Sequence, residues 1–297
     1  MFRKAYSVSA QYTLPVVLSR KTIAGDCSSA IGAFVVINKE GWIVTANHII
    51  DQLNKLVEGE KTALGLEAQR KAIESDTSID AKERRHRLQK IRKLGREDTH
   101  RASAWWGGLP NNTRLVYSVG IEPVDIAIGK LEPFDPAWIN TYPVFKDPSK
   151  EFEPGTSLCK LGFPFHSIRP LWNEAAQIFE LPKGTIPLPR FPIDGIFTRT
   201  AIIQIPDATF SFPLQWVETS TPGLKGQSGG PIFDVNGTIW AIQCQTRHLP
   251  LGFDPPVPGG RMGEKEHQFL NLGVGAHPET LFGLFRQEKI SFQISDY

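Results

Sequence analysis

Apolar positions recur along this chain with two different periods. Short runs rich in Val, Ile and Phe, at 32–37, 42–45, 126–131 and 231–242, are separated by turn residues, which is typical of β-strands. Asn38-Lys-Glu-Gly41 and Asp234-Val-Asn-Gly237 separate such runs and predict two hairpins. Between 51 and 104 the apolar residues instead recur every three or four positions, and Ser75–Ser78 interrupts the pattern. The periods predict a mainly β protein with an inserted hairpin of two helices, the second capped by Ser78 or Asp80.

Length and composition suit this architecture. The 297 residues include 26 glycines and 23 prolines and are 40% hydrophobic, enough for two β cores with long loops in a single domain, residues 1–297. The cysteines Cys27, Cys159 and Cys244 have no Cys-x-x-Cys spacing and are odd in number, so we predict no disulfide framework, no metal and no cofactor. No signal peptide and no apolar stretch of membrane-spanning length is visible, which predicts a cytoplasmic protein without membrane contact.

Three short strings carry candidate chemistry. They are Thr45-Ala-Asn-His48, Val124-Asp-Ile-Ala-Ile128 and Gly226-Gln-Ser-Gly-Gly-Pro231, and they supply a base, a carboxylate and a hydroxyl in a glycine-rich turn. A serine hydroxyl becomes a good nucleophile when a histidine takes its proton, and a carboxylate fixes the tautomer of that histidine. We therefore predict a His48-Asp125-Ser228 triad, with the His48 ring within hydrogen-bond reach of both partners.

Each string also has a plain reading. A histidine beside an apolar run is more often structural than catalytic, and Gly-Ser loops are common. The context favours the catalytic reading, because His48 follows a predicted strand, Asp125 precedes one, and Ser228 precedes a predicted hairpin.

The three strings resemble the motifs of trypsin-fold (chymotrypsin clan) serine peptidases, closest to the bacterial HtrA/Deg-like branch. The resemblance covers about 12–50, 113–165 and 193–288, with lesser matches at Leu161-Gly-Phe-Pro164 and Phe269–Gly275. It implies an all-β fold of two six-stranded antiparallel barrels, at about 12–135 and 150–288. The first barrel would carry a helical insertion, 51–104, and a short helix would close the chain without a PDZ-like module.

The same resemblance implies a serine endopeptidase that forms an acyl-enzyme with a protein or peptide substrate. The backbone N–H groups of Gly226 and Ser228 would form the oxyanion hole. Gln227 occupies the position at which secreted digestive members carry an aspartate that pairs with a newly freed amino terminus. A neutral side chain cannot form that ion pair, so we expect control by loop ordering or by a partner.

Substrate preference is indicated by two positions in the resemblance. Pro222 lies six residues before the serine, where members selective for Lys or Arg carry Asp, so we expect a small or medium apolar residue before the scissile bond. The strand Gln243, Cys244, Gln245 is expected to pair with the substrate backbone.

The insertions add further expectations. We expect 51–104 to be a mainly helical excursion from the first barrel that belongs to neither core, so that deletion of about 55–100 leaves the barrels folded. His48 and Asp125 lie 77 positions apart, and residues 82–101 hold nine Lys or Arg against three acids. This basic stretch is either a solvated helix face or a docking surface for an acidic regulatory partner; the absence of interleaved aromatics and of a nucleic-acid motif argues against nucleic acid. In a second insertion, 166–192, Pro170–Glu180 is predicted as a short helix, and a third loop, 247–267, is expected to wall the substrate cleft.

Two other functions stay open. A catalytically silent protease fold could serve as a binding or scaffold protein. Gly226–Gly230 also matches Gly-x-Ser-x-Gly, the nucleophile elbow of α/β-hydrolase esterases. That elbow needs a helix after the serine and a downstream acid and histidine. Here Pro231 and a hairpin follow, and the downstream Asp254 lies in a loop pattern.

Overall fold

The computed structural model describes residues 1–204, 210–256, 261, 263 and 265–297. The helices of this part of the chain are α1 Arg3–Tyr12, α2 Asn47–Ser75, α3 Ala81–Lys90 and α4 Pro278–Gln287. The strands form two large β-sheets, one from each half of the chain, in agreement with the predicted all-β fold.

The first sheet contains six antiparallel strands: β1 Thr13–Thr22, β2 Cys27–Val36, β3 Trp42–Ala46, β4 Thr99–Trp106, β5 Arg114–Ile121 and β6 Ile126–Glu132. Their order is β4-β1-β2-β3-β6-β5. No hydrogen-bonded pairing between β4 and β5 occurs within the described ranges, so the sheet is an open half-barrel. The β2–β3 hairpin turns at Gly41, whose φ of 82° favours glycine, as the sequence predicted.

The second sheet contains eight strands: β7 Val144–Phe145, β8 Ser157–Gly162, β11 Phe191–Ile202, β12 Gln215–Thr219, β13 Pro231–Phe233, β14 Ile239–Pro250, β15 Phe269–Ala276 and β16 Gln293–Ile294. The order β13-β8-β11-β12-β15-β14, with a further β13–β14 pairing, closes six strands into a barrel. The predicted second barrel of six strands is therefore present, but the sheet is larger than predicted, because β7 pairs in parallel with β14 and β16 pairs in parallel with β7.

One apolar core joins the two sheets. Buried residues of β2, β3 and β6 belong to the same cluster as Phe145 of β7, Ile242 of β14 and the α4 residues Phe282 and Phe285. Since burial of apolar side chains stabilises by about 25 cal/mol for each Å² removed from water, this shared cluster holds the half-barrel and the barrel against each other. The candidate site lies at the junction of the two sheets.

The helical insertion begins earlier and ends earlier than predicted. α2 starts at Asn47, so His48 lies in its first turn, and Ile50 and Leu53 are buried in the shared core. The prediction that the insertion stays outside both cores is therefore wrong for the first half of α2. Residues from Thr99 onward belong to β4, which pairs with β1. The predicted break after Ser75 is present, and Asp80 caps α3 by accepting a hydrogen bond from the Glu83 N–H at 2.7 Å.

The second insertion contains a β-hairpin where a short helix was predicted. Its strands are β9 Leu171–Asn173 and β10 Ile178–Glu180. Asn173 Oδ1 accepts hydrogen bonds from the N–H groups of Ala175 and Ala176, each at 3.0 Å, which forms a turn in place of the helix. Trp172 and Phe179 then pack edge to face across the hairpin, with ring centroids 4.8 Å apart.

Two more expectations need correction. α1 was not predicted; its buried residues Ala5 and Ser9 recur four positions apart, and Ala5 packs against Cys159 and Phe233. The third predicted loop is partly strand, because β14 continues to Pro250 opposite Phe269. Residues 257–260, 262 and 264 of that loop lie outside the described part of the chain. Within the described residues, no helix combines the length and the apolar character that crossing a bilayer requires.

Candidate active site

Asp125 holds both the ring and the backbone of His48. His48 Nδ1 lies 2.8 Å from Asp125 Oδ2, and the His48 backbone N–H donates to Asp125 Oδ1 at 2.9 Å. Because an ionised carboxylate only accepts hydrogen bonds, the contact places the ring proton on Nδ1 and leaves Nε2 as the basic nitrogen. The first of the two predicted contacts is therefore present.

The local fold aims Asp125 at this position. A single 3₁₀ turn, Glu122–Val124, precedes it, and the Asp125 N–H donates to Glu122 O at 2.9 Å. Asp125 itself has a φ of 59°, in the left-handed region that aspartate tolerates better than most residues. The side chain of Asp125 is 13% exposed and that of His48 is 49% exposed, so the acid is shielded while the base faces solvent.

The turn that carries Ser228 is bound to the first sheet. Ser228 O accepts a hydrogen bond from the N–H of Ala33 on β2 at 2.9 Å. Gly229 has a φ of 82°, and a Cβ added there would overlap with Ala33 O and Thr45 Oγ1. This close approach requires glycine. Since Thr45 lies three residues before His48 on the chain, the serine turn and the base meet at the same end of β3.

Ser228 is not bonded to the base. All three predicted residues lie in the described part of the chain, and within that part no hydrogen bond joins Ser228 Oγ to the His48 ring. Catalytic hydrogen bonds are often long in unliganded enzymes and shorten when substrate binds. The structure therefore brings His48 and Asp125 into contact and leaves Ser228 without its predicted hydrogen bond to His48.

Two backbone donors in the serine turn are unpaired. The N–H groups of Gln227, Gly229 and Gly230 donate to Leu224 O, Gln243 O and Gln227 O at 2.8, 2.8 and 2.9 Å. The N–H groups of Gly226 and Ser228 have no acceptor among the described residues. Two neighbouring N–H groups that are held in place and have no acceptor of their own can together bind the oxygen of a substrate carbonyl as it acquires negative charge.

Gln243 uses both of its backbone groups where β14 meets the serine turn. Its backbone N–H donates to Gly230 O and its carbonyl accepts from Gly229 N–H, both at 2.8 Å. Its side chain is buried and donates to Gln245 O at 2.7 Å. Because a carbonyl oxygen can accept a second hydrogen bond, the substrate-binding role of Gln243 stays a prediction.

The other predicted substrate residues have defined surroundings. The thiol of Cys244 is buried, and burial, with the nearby Asp125 carboxylate as a lesser cause, raises its pKa well above the ordinary value. Gln245 is half-buried and pairs with Val274 of β15. Pro222 O accepts a hydrogen bond from Lys160 Nζ at 3.2 Å. A substrate-binding role for Pro222, Cys244 and Gln245 stays a prediction.

Sequence reasoning did not predict the contacts of two residues behind the serine turn, although it had singled out Gln227. Gln227 is fully buried; its Oε1 accepts from the Leu224 N–H at 2.9 Å and its Nε2 donates to Phe191 O at 3.3 Å. Lys160 is 1% exposed on β8 and donates to carbonyls that precede the turn. The only sequence signal for Lys160 is a lysine among the apolar residues of Leu158-Cys-Lys-Leu161.

A third missed residue links the two sheets. Trp216 of β12 donates from Nε1 to Val124 O at 3.3 Å, next to Asp125, and the guanidinium of Arg247 lies 4.2 Å from the centre of a Trp216 ring. Within the described ranges, no group of three or more His, Cys, Asp or Glu side chains is arranged to hold a metal ion.

The antiparallel half-barrel and barrel, with the site residues at their junction, form a trypsin-like fold. The antiparallel topology and the strand β13 directly after the serine turn exclude an α/β-hydrolase elbow, which needs a helix there.

Comparison with known proteins gives structural likenesses only. No protein-family model and no curated protein matches the chain. The chain is similar to the active form of the Rv3671c protease from M. tuberculosis, at 10% identity and a TM-score of 0.47, covering 98% of this chain and 86% of that one. An inactive form of the same protease gives 11% identity, a TM-score of 0.44 and coverage of 95% and 91%. The HtrA-type protease AlgW with a tripeptide gives 16% identity, a TM-score of 0.45 and coverage of 98% and 64%.

Proposed function

We propose that this chain is a serine endopeptidase that uses Ser228 as nucleophile, His48 as general base and acid, and Asp125 to orient His48. The observation that carries the proposal is the hydrogen bond of 2.8 Å between His48 Nδ1 and Asp125 Oδ2, formed at the strand end against which the Ser228 turn is bound. A base oriented by a carboxylate next to a serine is the arrangement that acyl transfer requires.

The chemistry follows from the positions of these groups. Ser228 Oγ attacks the carbonyl carbon of the scissile peptide while its proton passes to His48 Nε2. The carbonyl oxygen, now negatively charged, is bound by the N–H groups of Gly226 and Ser228. The C–N bond then breaks as the imidazolium gives its proton to the leaving amine, which leaves an ester on Ser228. Water, deprotonated by His48, hydrolyses the ester and restores the free serine.

A catalytically silent binding protein is the second candidate. The observation that favours it is the absent hydrogen bond between Ser228 Oγ and the His48 ring in this structure. On that account the fold would hold a peptide without cutting it. In a peptidase the Ser228–His48 hydrogen bond must form when substrate binds, whereas in a silent binding protein it does not. Cleavage of a substrate distinguishes the two candidates.

Cleavage of an unfolded protein substrate tests the proposal. We expect cleavage by the native sequence and a loss of about 10⁴-fold or more in Ser228→Ala and in His48→Ala, because the triad acts as a unit. His166→Ala is the matched control: His166 is also a half-exposed histidine, but its Nε2 contacts only Pro189 O, at 2.9 Å, so activity should be unchanged. Equal cleavage by the Ser228→Ala protein would exclude the mechanism, and no cleavage by any form would favour the silent binding protein.

A further inference from the structure

Lys160 places an amino group inside the second barrel, without an acidic partner among the described residues. On β8, Cys159 and Leu161 lie against α1, whereas Leu158 packs with Phe197 and Trp240. Because side chains alternate along a strand, Lys160 points to the same side as Leu158, into the barrel. No carboxylate of the described residues lies within ion-pair distance of its Nζ, and a buried lysine without a carboxylate needs other acceptors.

The acceptors all belong to the segment that leads to the nucleophile. Lys160 Nζ donates to Thr221 O, to Thr221 Oγ1 at 3.1 Å and to Pro222 O at 3.2 Å. The approach is close enough that a Cβ on Gly273 would overlap with Nζ. An ammonium group can donate to all three oxygens at once; a neutral amine can donate to the two carbonyls, but it must then accept a hydrogen bond from the Thr221 hydroxyl at its lone pair.

Hydrogen bonds connect this segment to Ser228. The carbonyl of Gly223 accepts from Thr246 Oγ1 at 2.7 Å. Leu224 is held twice by Gln227, through the Gln227 N–H at 2.8 Å and the Gln227 Oε1 at 2.9 Å. Gln227 directly precedes Ser228 on the chain. The path from Lys160 through Thr221, Pro222, Leu224 and Gln227 therefore ends at the nucleophile and at the two unpaired N–H groups.

We propose that Lys160 is a positioning residue of the active site, whose ammonium group fixes residues 221–224 and thereby the geometry of the serine turn. This inference rests on the proposed peptidase function. It predicts that the site is competent while Lys160 carries its proton and loses its geometry when the proton leaves.

Lys160 gains or loses its proton within the ordinary range of solution pH. Burial lowers its pKa to about 7, and the oxygen acceptors of Thr221 and Pro222 favour the charged form in opposition. The titratable and charged groups on β8 and on β11, β12 and the end of β13 are Cys159, Asp194, Arg199, Glu218 and Asp234. Glu218 bonds Arg199 and Asp234 bonds the Trp240 indole, so neither serves as the counter-ion of Lys160.

Three variants test the inference by kcat, KM and pH profile. Lys160→Met keeps the length and removes the charge, and Lys160→Gln restores two N–H donors. Lys146→Met is the matched control, because Lys146 is also buried with a lowered pKa, but it lies over the rings of Phe152 and Trp240, away from the serine turn.

We expect the kcat of the native protein to fall as the pH rises, with a midpoint at or above about pH 7. Lys160→Met should lose about 100-fold in kcat, with a smaller change in KM and no alkaline fall. Lys160→Gln should recover part of kcat, also without the fall, and Lys146→Met should keep both.

Other outcomes would overturn the inference. Native kcat in Lys160→Met, or the same alkaline fall in that variant, excludes the role. If Lys160→Met does not fold by circular dichroism, a native kcat that stays level to about pH 10 excludes it without any variant. Hydrogen exchange of the Leu224 and Gln227 backbone amides can be measured without catalytic activity. We expect this exchange to be faster in Lys160→Met than in Lys146→Met. An inactive native protein would therefore refute the proposed function, while equal exchange in the two variants would refute the positioning role.

Discussion

Gln227 shapes the serine turn through the hydrogen bonds of its neutral side chain. It is fully buried, and its amide bridges Leu224 and Phe191, on two different segments. A neutral amide whose donor and acceptor are both used can be buried at little cost, whereas an unpaired carboxylate at this position could not. The turn thus has its shape without a contribution from a freed amino terminus. Control by loop ordering or by a partner stays a prediction.

His277 makes the stability of the fold depend on pH. It is 4% exposed, lies 4.5 Å from Phe152 ring to ring, and caps α4 through Nδ1, which accepts from the Glu279 N–H at 3.1 Å. Burial lowers its pKa from 6.5 to about 4. Between about pH 6.5 and about pH 4, His277 is protonated in the unfolded chain but stays neutral in the folded chain. The free energy of unfolding should therefore fall as the pH falls through this range, and should level off below it.

Urea denaturation at several pH values measures this effect. The loss attributable to His277 should reach the order of 3 kcal/mol by about pH 4. His277→Asn keeps an oxygen that can cap the helix but does not titrate, so its stability should fall less over the same range. His166→Asn, at a histidine that is not buried, should follow the native curve. Parallel curves for the native protein and His277→Asn would contradict the prediction.

At the scale of elements, the insertion divides into a part that belongs to the core and a part that does not. Ala63 of α2 is fully buried, and the Glu67 carboxylate lies 3.0 Å from His100 Nε2 on β4. The residues from 69 to 94, which we call the helical arm, contain the end of α2 and all of α3. None of the residues of the arm is buried. The arm is therefore not expected to contribute to the core or to the geometry of the site.

Removal of the arm tests that separation. Replacing residues 69–94 by a short Gly/Ser bridge should leave the fold and the cleavage of a small peptide unchanged, since loop-closure free energy changes slowly with length. The wider deletion of 55–100, which the sequence predicted to be tolerated, would also remove Leu56, Ala63 and the first residues of β4, so we expect it to unfold the chain. Circular dichroism and peptide cleavage measure both results. Lost cleavage in the folded 69–94 deletion would place the arm in the site; docking of an acidic partner to it stays a prediction.

Local signals in the sequence were enough for some elements and not for others. Glycine turns at Gly41 and Gly237 located two hairpins, because a positive φ leaves a residue signature. The β9–β10 hairpin was misread as a helix, because the Asn173 turn that shapes it leaves only a weak signature. The burial of Leu53 and the extent of β4 depend on packing between distant segments, which periodicity does not report.

The candidate site shows the same division between local and distant information. His48, Asp125 and Ser228 could be predicted because each chemistry-bearing residue lies in a short string beside a strand. Lys160 could not, because its role arises from acceptors 61 and 62 positions away along the chain. Long-range pairing of this kind is set by the closure of the barrel.

At the scale of the whole molecule, the site depends on the junction of the two sheets. His48 follows β3 and Asp125 precedes β6 of the first sheet, whereas Ser228 precedes β13 of the second sheet. Two hydrogen bonds cross the junction next to these residues, from Ala33 N–H to Ser228 O at 2.9 Å and from Trp216 Nε1 to Val124 O at 3.3 Å. The packing of one sheet on the other therefore sets the distance from nucleophile to base.

Labelling with a fluorophosphonate tests most directly whether that junction creates an activated serine. The reagent loses fluoride when an activated serine oxygen attacks phosphorus, and the adduct is located by mass spectrometry. We expect one adduct per chain, on Ser228, with none on Ser228→Ala and a strongly reduced rate on His48→Ala. An unlabelled native protein, or an adduct on Ser228 that forms equally fast in His48→Ala, would contradict this expectation.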